Sequence, residues 1–573
     1  MATNKLEQTV EESRKAVVDV ARAALAESLG GRAAEIPSAL PDAIASGTGS
    51  QDEMRETTRR IFSTGKPLDL VLFDTDRIAS YVFESSRPPV ITGASTLLRE
   101  LNDRIAEDHR RFVIFSGGGE GMLLVSAGRG EKVCRQIETL YASRTEGALR
   151  VTTGFIPVGP HDFVAGNNEA TASGGVRLVS GTQAVLSRLR DQVRRRKDEH
   201  GLEPKAVAGD DKRCVSCRDR AAGSTMISKF RPDVPFDGPL CDPCARRWEV
   251  GRREIKGISF EELVEASGTE RAKSKYIGFL YADGNAMGAL FGRLASLAQF
   301  RFLSQAVREV FERLQHRAKE TARKLVPEND ELPFVSYLGG GDEAIWIVPG
   351  FLALRIASQL AAWIEEESKA LADLPRILRD RTGLPHLTFG AGLVLCGYTY
   401  PVRYQYALAK ELQKSAKSIS YKSGKPISAI DFEVLTESSP LSESLKSARA
   451  LTDATEEPKF WRSCRPYTSE AFARLLERMA RLRAADIKLA TSQLYALQDG
   501  VREGRKVFLN FLGYQIARKP AGEKYQKWMK ALGVNPADRS AIEGFFIQQL
   551  ADGSGTWITD GLQLAPFLEG KEG

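Results

Sequence analysis

The sequence predicts an α+β protein: two ferredoxin-like β-α-β-β-α-β units, a four-cysteine insert between them and an α-helical C-terminal domain. Three observations predict it. An apolar run ending in acid occurs twice, as PLDLVLFDTD and KYIGFLYADG. Each is followed by a helical stretch and then by strand, glycine turn and strand, in RFVIFSGGGEGMLLVSA and ELPFVSYLGGGDEAIWIVPG. Two C-x-x-C pairs, CVSC and CDPC, lie between the copies. A degenerate internal duplication explains the matched order better than two unrelated domains do.

The chain of 573 residues is too long for one core. Residues 1–65 read as a helical leader, because MATNKLEQTVEESRKAVVDVARAA is amphipathic and lacks the apolar core of a signal peptide. Residues 66–200 form the first unit: the apolar strand ending at Asp74, the helix GASTLLRELNDRIAEDH, the glycine hairpin, the helix EKVCRQIETLYASR, the strand LRVTTGFIPVG and the helix GTQAVLSRLRDQVRRRKDE. Residues 201–255 hold the cysteines. Residues 256–436 repeat the order: a strand ending at Asp283, helix over 288–325, the hairpin, the helix FLALRIASQLAAWIEEESKAL, the strand LTFGAGLVLCG, the helix VRYQYALAKELQKSAKSI and a last strand in ISAIDFEVL. The sheet is expected to carry its helices on one face. Strand signals stop near 436, so residues 437–573 are expected to be helical.

Composition excludes little. Hydrophobic content of 42% and charged content of 27% are ordinary for a globular protein. The net charge of +7 permits a nucleotide or nucleic-acid partner and demands neither. No apolar run has membrane-spanning length, and a cytosolic protein without a membrane partner is expected. Cys214, Cys217, Cys241 and Cys244 have the spacing of a structural Zn²⁺ site with four thiolates, while Cys134, Cys396 and Cys464 read as core thiols.

The second hairpin carries the chemistry. Gly339, Gly340 and Gly341 permit a sharp turn and leave room for a ligand. Asp342 and Glu343 follow. In this topology the first strand adjoins the hairpin, so Asp283 is expected beside them. Three carboxylates together repel unless protonated or bridged by a cation, and hard oxygen donors suit Mg²⁺ or Mn²⁺ shared with phosphates. A GGDE string alone fits an exposed hairpin equally well; Asp283 at the matched strand end points to a metal site. Lys410, Lys414 and Lys417 share one helical face. The cluster Arg194-Arg195-Arg196-Lys197 reads as a helix-dipole partner, with RNA contact as the sharper alternative. His161-Asp162 is an HD dipeptide without further ligands and reads as loop.

GGDE in this frame resembles the palm of nucleotide cyclases and polymerases. The two palms around a C-x-x-C pair resemble the large polymerase-cyclase subunit of type III CRISPR effector complexes, the cyclic oligoadenylate synthase. LFDTDRIASYVF with ITGASTLLRELN is similar to its first palm, YADGNAMG to its D-G-D-x-M-G segment, ALAKELQKSAK to its lysine helix, and CRPYTSEAF and TSQLYAL to its C-terminal region. The likeness covers most of the chain from about residue 66.

The resemblance implies a nucleotidyltransferase that turns ATP into a cyclic oligoadenylate and releases pyrophosphate. Other effector-complex subunits, guide RNA and target RNA are the implied partners. It makes the second palm catalytic, with Asp283, Asp342 and Glu343 on the metals. It gives Lys417, and behind it Lys414, to phosphate, and the first palm, with Asp74 and Glu120, to the acceptor nucleotide. Departures are Glu343 for the family's last Asp, Asn285 for its second Asp, Gly119 opposite Asp342, and no N-terminal HD nuclease domain, so cleavage of single-stranded DNA is not expected. Two rivals stay open: a stand-alone palm-domain synthase of another nucleotide signal, and a nucleotide-binding scaffold without catalysis.

Overall fold

The computed structural model describes residues 9–164, 167–170, 176–199, 213–223, 225–227, 238–254, 260–265, 275–325, 332–436, 445, 449, 454–455, 459–483, 487, 489, 491–518, 521–550 and 553–568. The leader folds as α1 (Val10–Ser28), α2 (Ala39–Ser46) and α3 (Gln51–Phe62). Thr9 caps α1 reciprocally with Glu12, as the T-x-x-E spacing favours.

The first palm runs β1 (Leu68–Thr75), α4 (Ile78–Val82), α5 (Pro88–Asp108), β2 (Val113–Gly117), β3 (Glu120–Ser126), α6 (Gly130–Arg144) and β4 (Val151–Val158). After a one-turn helix α7 (Pro160–Phe163) and a hairpin of β5 (Asn167–Ala170) and β6 (Val176–Val179) comes α8 (Gly181–Glu199). His161 and Asp162 therefore lie in a helical turn, not a loop, and Asp162 accepts from Gly159 N at its start (2.7 Å). The cysteine module contributes β7 (Thr225–Ile227), β8 (Gly238–Leu240) and α9 (Asp242–Glu254), and α10 (Phe260–Glu265) follows.

The second palm runs β9 (Tyr276–Gly284), α11 (Met287–Phe291), α12 (Leu297–Leu325), β10 (Val335–Gly340), β11 (Glu343–Pro349), α13 (Gly350–Lys369), α14 (Leu374–Thr382), β12 (Phe389–Gly397), α15 (Val402–Ser423) and β13 (Ala429–Val434). Sheet orders are β2-β3-β1-β4 and β10-β11-β9-β12, followed by β13 and one strand from the tail, so both palms have ferredoxin-like order. Each sheet is covered on both faces, not on one as the sequence suggests. Strands buried on both sides read as continuous apolar runs, which hides the second face from the pattern. In the first palm α5 and α6 pack on Val71 and Phe73, and α8 packs on the opposite face with Leu70 and Leu72.

The palms exchange parts. Helix α12 of the second lies along edge strand β2 of the first, where Arg301 donates to Ile114 O and Arg308 to Ser116 O (3.2 Å). Helix α5 of the first lies along edge strand β10 of the second. The edge strands β2 and β10 are thereby covered.

The C-terminal domain is not purely helical. Helices α16 (Ser469–Arg483), α17 (Thr491–Arg502), α18 (Arg505–Ala517), α19 (Ala521–Ala531), α20 (Arg539–Phe546) and α21 (Ile558–Leu564) are joined by short strands. Strands β14 (Ala454–Thr455), β15 (Phe460–Trp461), β17 (Ile547–Leu550) and β18 (Gly553–Thr556) make a small sheet, and β16 (Tyr467–Thr468) extends the second palm. Strands of two to four residues leave no alternating pattern to read. Tyr525, Trp528 and Met529 of α19 are fully buried, while Tyr514 of α18 is exposed. A buried ionic net fastens the tail to β13: Arg449 is bidentate to Asp431 (2.7 and 3.0 Å), and Arg465 links Glu433 to Asp560. Among the described residues no helix is long and apolar enough to cross a membrane.

Candidate active site

Antiparallel pairing of β11 with β9 places Glu343 opposite Asp283, and Gly340 opposite Glu343 in the hairpin. Asp283 is therefore within reach of the hairpin, as the sequence requires. The turn residue Gly341 takes φ +72°, which favours glycine. Asp342 follows it and lies over Gly284: a Cβ there would stand 3.1 Å from the Asp342 Cβ and 3.2 Å from its carboxylate. Gly284 N donates to Asp342 O (3.0 Å). The glycine directly after Asp283 thus lets the two acids meet, a role sequence reasoning overlooked although YADG displays it.

The side chains are held separately in this arrangement. Asp283 Oδ2 accepts from Gln413 Nε2 (2.9 Å) and from the Lys417 ammonium, which also donates to Gly284 O (2.8 Å). Glu343 Oε1 accepts from the Tyr281 hydroxyl (2.8 Å). Burial, then the charges of Asp283 and Glu343, pushes Asp342 up to about 7. Burial raises Glu343 as well, against the hydrogen bond from Tyr281. The backbones of Asp283, Asp342 and Glu343 therefore come together, while the Asp283 side chain turns to Gln413 and Lys417 and that of Glu343 to Tyr281. Lys417 is an internal cation in the place a divalent ion would neutralise.

Lys417 reaches the acids because α15 lies against β12 at two glycines. A Cβ at Gly390 would stand 2.5 Å from Lys417 Cγ, and one at Gly392 only 2.0 Å from Ala409 O. Lys410 lies 5.8 Å over the Tyr406 ring, and Lys414 is exposed. Asn285 is not a metal contact here. It is 7% exposed, and its amide donates to Thr388 Oγ1 (3.0 Å) and Ile427 O (3.0 Å), pinning the end of β9.

The first palm repeats the register: Glu120 faces Asp74. Lys197 Nζ bridges Asp74 Oδ2 (2.6 Å) and Asp76 Oδ1 (2.9 Å), and Arg196 Nη1 donates to Thr153 O (2.5 Å). These two members of the basic cluster face the sheet, which corrects their reading as simple helix-dipole or RNA-facing charges. Burial and Asp74 raise Glu120. A cavity of about 630 Å³ opens here, with Asp74, Glu120, Arg190, Arg194 and Lys197 on one wall and Gly292 of the second palm on another.

The four cysteines are buried with donor atoms all within 4.8 Å of one another, the one such cluster among the described residues. Cys217 and Cys241 sulfurs stand 3.9 Å apart, close to the edge of about 3.8 Å that a tetrahedron with Zn–S of about 2.3 Å requires. The donors fit a closed four-thiolate metal.

Residues 276–424 match the family model for the second palm domain of Cas10/Cmr2. Among solved structures, the Csm1–Csm4 cassette in complex with cA4 is similar, with a TM-score of 0.52 and 14% identity over 92% of this chain and 73% of that one. Csm1 in T.onnurineus follows at 0.49 and 14%, covering 87% and 70%. The Csm1–Csm4 cassette with AMPPNP gives 0.46 and 15%, covering 81% and 64%. At these identities the first likeness speaks for the fold alone. No curated protein matches the chain.

Proposed function

We propose that this Cas10-like chain, with its Cas10/Cmr2 second palm domain in a Csm1-like fold, is a metal-dependent nucleotidyltransferase. It joins ATP molecules 3′ to 5′, closes a cyclic oligoadenylate, and works as the large subunit of an RNA-guided type III CRISPR antiviral complex. The observation that carries the reading is the facing of Asp283 and Glu343, with Asp342 lying over Gly284 beside them. In the reaction the 3′-oxygen attacks the α-phosphorus of the next nucleotide. The new P–O bond forms as the bond to the β-phosphate oxygen breaks, and pyrophosphate leaves.

Asp283, Asp342 and Glu343 would hold Mg²⁺ or Mn²⁺, which supplies hydroxyl activation and charge screening when bound. Gly340 and Gly341 keep the approach clear. Lys417 gives up Asp283 and meets phosphate, with Lys414 at the exposed end of the same face. Asp74 and Glu120 hold the acceptor nucleotide in the first palm. Zn²⁺ in Cys214, Cys217, Cys241 and Cys244 is structural.

Turnover of labelled ATP with Mn²⁺ tests this for the protein alone, with partner subunits and guide RNA, and with target RNA added. Product is expected only when target RNA is present and Asp342 and Glu343 are intact. Product from the isolated chain would favour the stand-alone synthase. The scaffold reading draws on Lys417, which sits on Asp283; absence of product in every state would favour it.

A further inference from the structure

The first palm inserts an aromatic side chain into the second. Phe83 follows α4 and is 4% exposed. Its ring stacks on Tyr406 at 4.4 Å and 12°, and meets Phe279 (6.0 Å) and Tyr337 (6.1 Å) edge-on. Tyr406 lies 5.8 Å from Tyr281, whose hydroxyl donates to Glu343. Phe83 therefore backs the wall from which one of the three acids is oriented.

What holds Phe83 is the cysteine module. Arg247 of α9 is fully buried, a costly place for a charge unless its donors are matched. It donates to Tyr81 O (2.8 Å), Glu84 Oε2 (2.8 Å), Pro243 O (3.1 Å) and Cys244 Sγ (3.1 Å). Arg220, beside Cys217, reaches the same Glu84 oxygen (2.6 Å). The residues two before and one after Phe83 are thus anchored to a guanidinium that also touches a metal-ligating sulfur. A four-thiolate centre is net negative, and Arg247 is placed as its counter-ion. Helices α5 and α9 cross in backbone contact at Gly93 and Gly251, where an added Cβ would stand 1.8 Å from Arg247 O and from Pro89 O respectively. The module is fixed to the start of α5 with no side chain between.

The other palm supplies the contrast. Phe83 lies nine residues after Asp74, and Gly292 lies nine after Asp283. Gly292 leaves the cavity beside the first palm open, while Phe83 fills the matching place beside the second.

We propose that Phe83 is a positioning residue lent by the first palm to the second palm's site, held there by the four-cysteine centre through Arg247 and Glu84. The proposal rests on the second palm as the functional site, so its test does not depend on turnover. The full chain carries 3-fluorotyrosine at position 406, and its ¹⁹F resonance is followed while zinc is stripped by a chelator and metal content is measured.

Zinc removal and Phe83→Ala are each expected to move the Tyr406 resonance, Phe83→Ala with zinc retained. Arg247→Met is expected to move it and to speed zinc release, and Arg247→Lys to restore part of both. An unmoved resonance in zinc-depleted protein of native circular dichroism overturns the proposal, as does an unmoved resonance in Arg247→Met. Should Arg247→Met fail to fold, Glu84→Gln takes its place with the same two outcomes. Resonance shifts, with no product even from the complex bound to target RNA, would leave this inference standing and remove the cyclase reading.

Discussion

Asp74 faces Glu120 in the first palm as Asp283 faces Glu343 in the second, and Lys197 reaches the first pair as Lys417 reaches the other. The turns between the strands separate the two. In the second palm's hairpin turn only Gly341 takes positive φ, and the next residue is Asp342. In the first both Gly118 and Gly119 do, at +64° and +87°, and a Cβ at Gly119 would stand 2.3 Å from Ile78 Cδ1. The difference teaches that a duplicated site can keep its sheet register, opposing acid and lysine, and still lack the neighbouring acid at one turn position. Backbone conformation and one apolar neighbour disfavour an aspartate there.

The comparison breaks most sharply on the acids themselves. Asp342→Ala with Glu343→Ala is expected to reduce cyclic product by roughly 10³-fold or more, the loss of about 4 kcal/mol of barrier lowering. Asp74→Asn with Glu120→Gln should act mainly on KM, by about tenfold. Equal losses in kcat from both pairs, read by steady-state ATP turnover, would erase the distinction between the palms.

Gly119→Asp sharpens it. A positive-φ site with a blocked Cβ predicts destabilisation of about 1–3 kcal/mol, seen as a lower Tm, with no gain of activity. Ile78→Ala in the same chain should recover part of the loss. Lys417→Met tests the internal cation. It is expected to tighten Mn²⁺ binding to the nucleotide-free protein, because a competing charge is gone, while raising KM for ATP; Mn²⁺ titration by electron paramagnetic resonance reads the first effect. Lys197→Met should open a divalent site at Asp74, Asp76 and Glu120, and Mn²⁺ stoichiometry above that of the parent would reveal it.

A further expected effect is on pH. Asp342 rises from 3.8 to about 7 in the metal-free fold. The folded state then holds this proton more tightly than the unfolded chain, so this group makes stability fall as pH rises through that window. Denaturant unfolding without divalent ions should show this slope, and Asp342→Asn should flatten it.

The sequence carries the duplicated order because strands buried on both faces are uninterrupted apolar runs and the helices are amphipathic. It carries Asp283, Asp342 and Glu343 because each stands at the end of such a run. It does not carry the partners that decide how they behave. Gln413 and Tyr281 look like ordinary members of a helix and a strand until tertiary packing brings them onto Asp283 and Glu343. Lys197 is hidden in a run of four bases, where only the fold distinguishes a residue facing Asp74 from one facing solvent. Asn285, which stands at a ligand position by resemblance, is taken by Thr388 and Ile427, residues more than a hundred positions away. The small sheet of the tail is built from strands too short to show a period.

The exchange of helices across the two palms has one more consequence. Were the halves made as separate polypeptides, the carbonyls of β2 that Arg301 and Arg308 now occupy would face water, and β10 would lose the cover of α5. Each half would then be a self-adhesive fragment, seeking a second copy of itself to lie across its bare margin. Joining both in one polypeptide supplies that companion at fixed stoichiometry, and leaves either member free to change without changing the other.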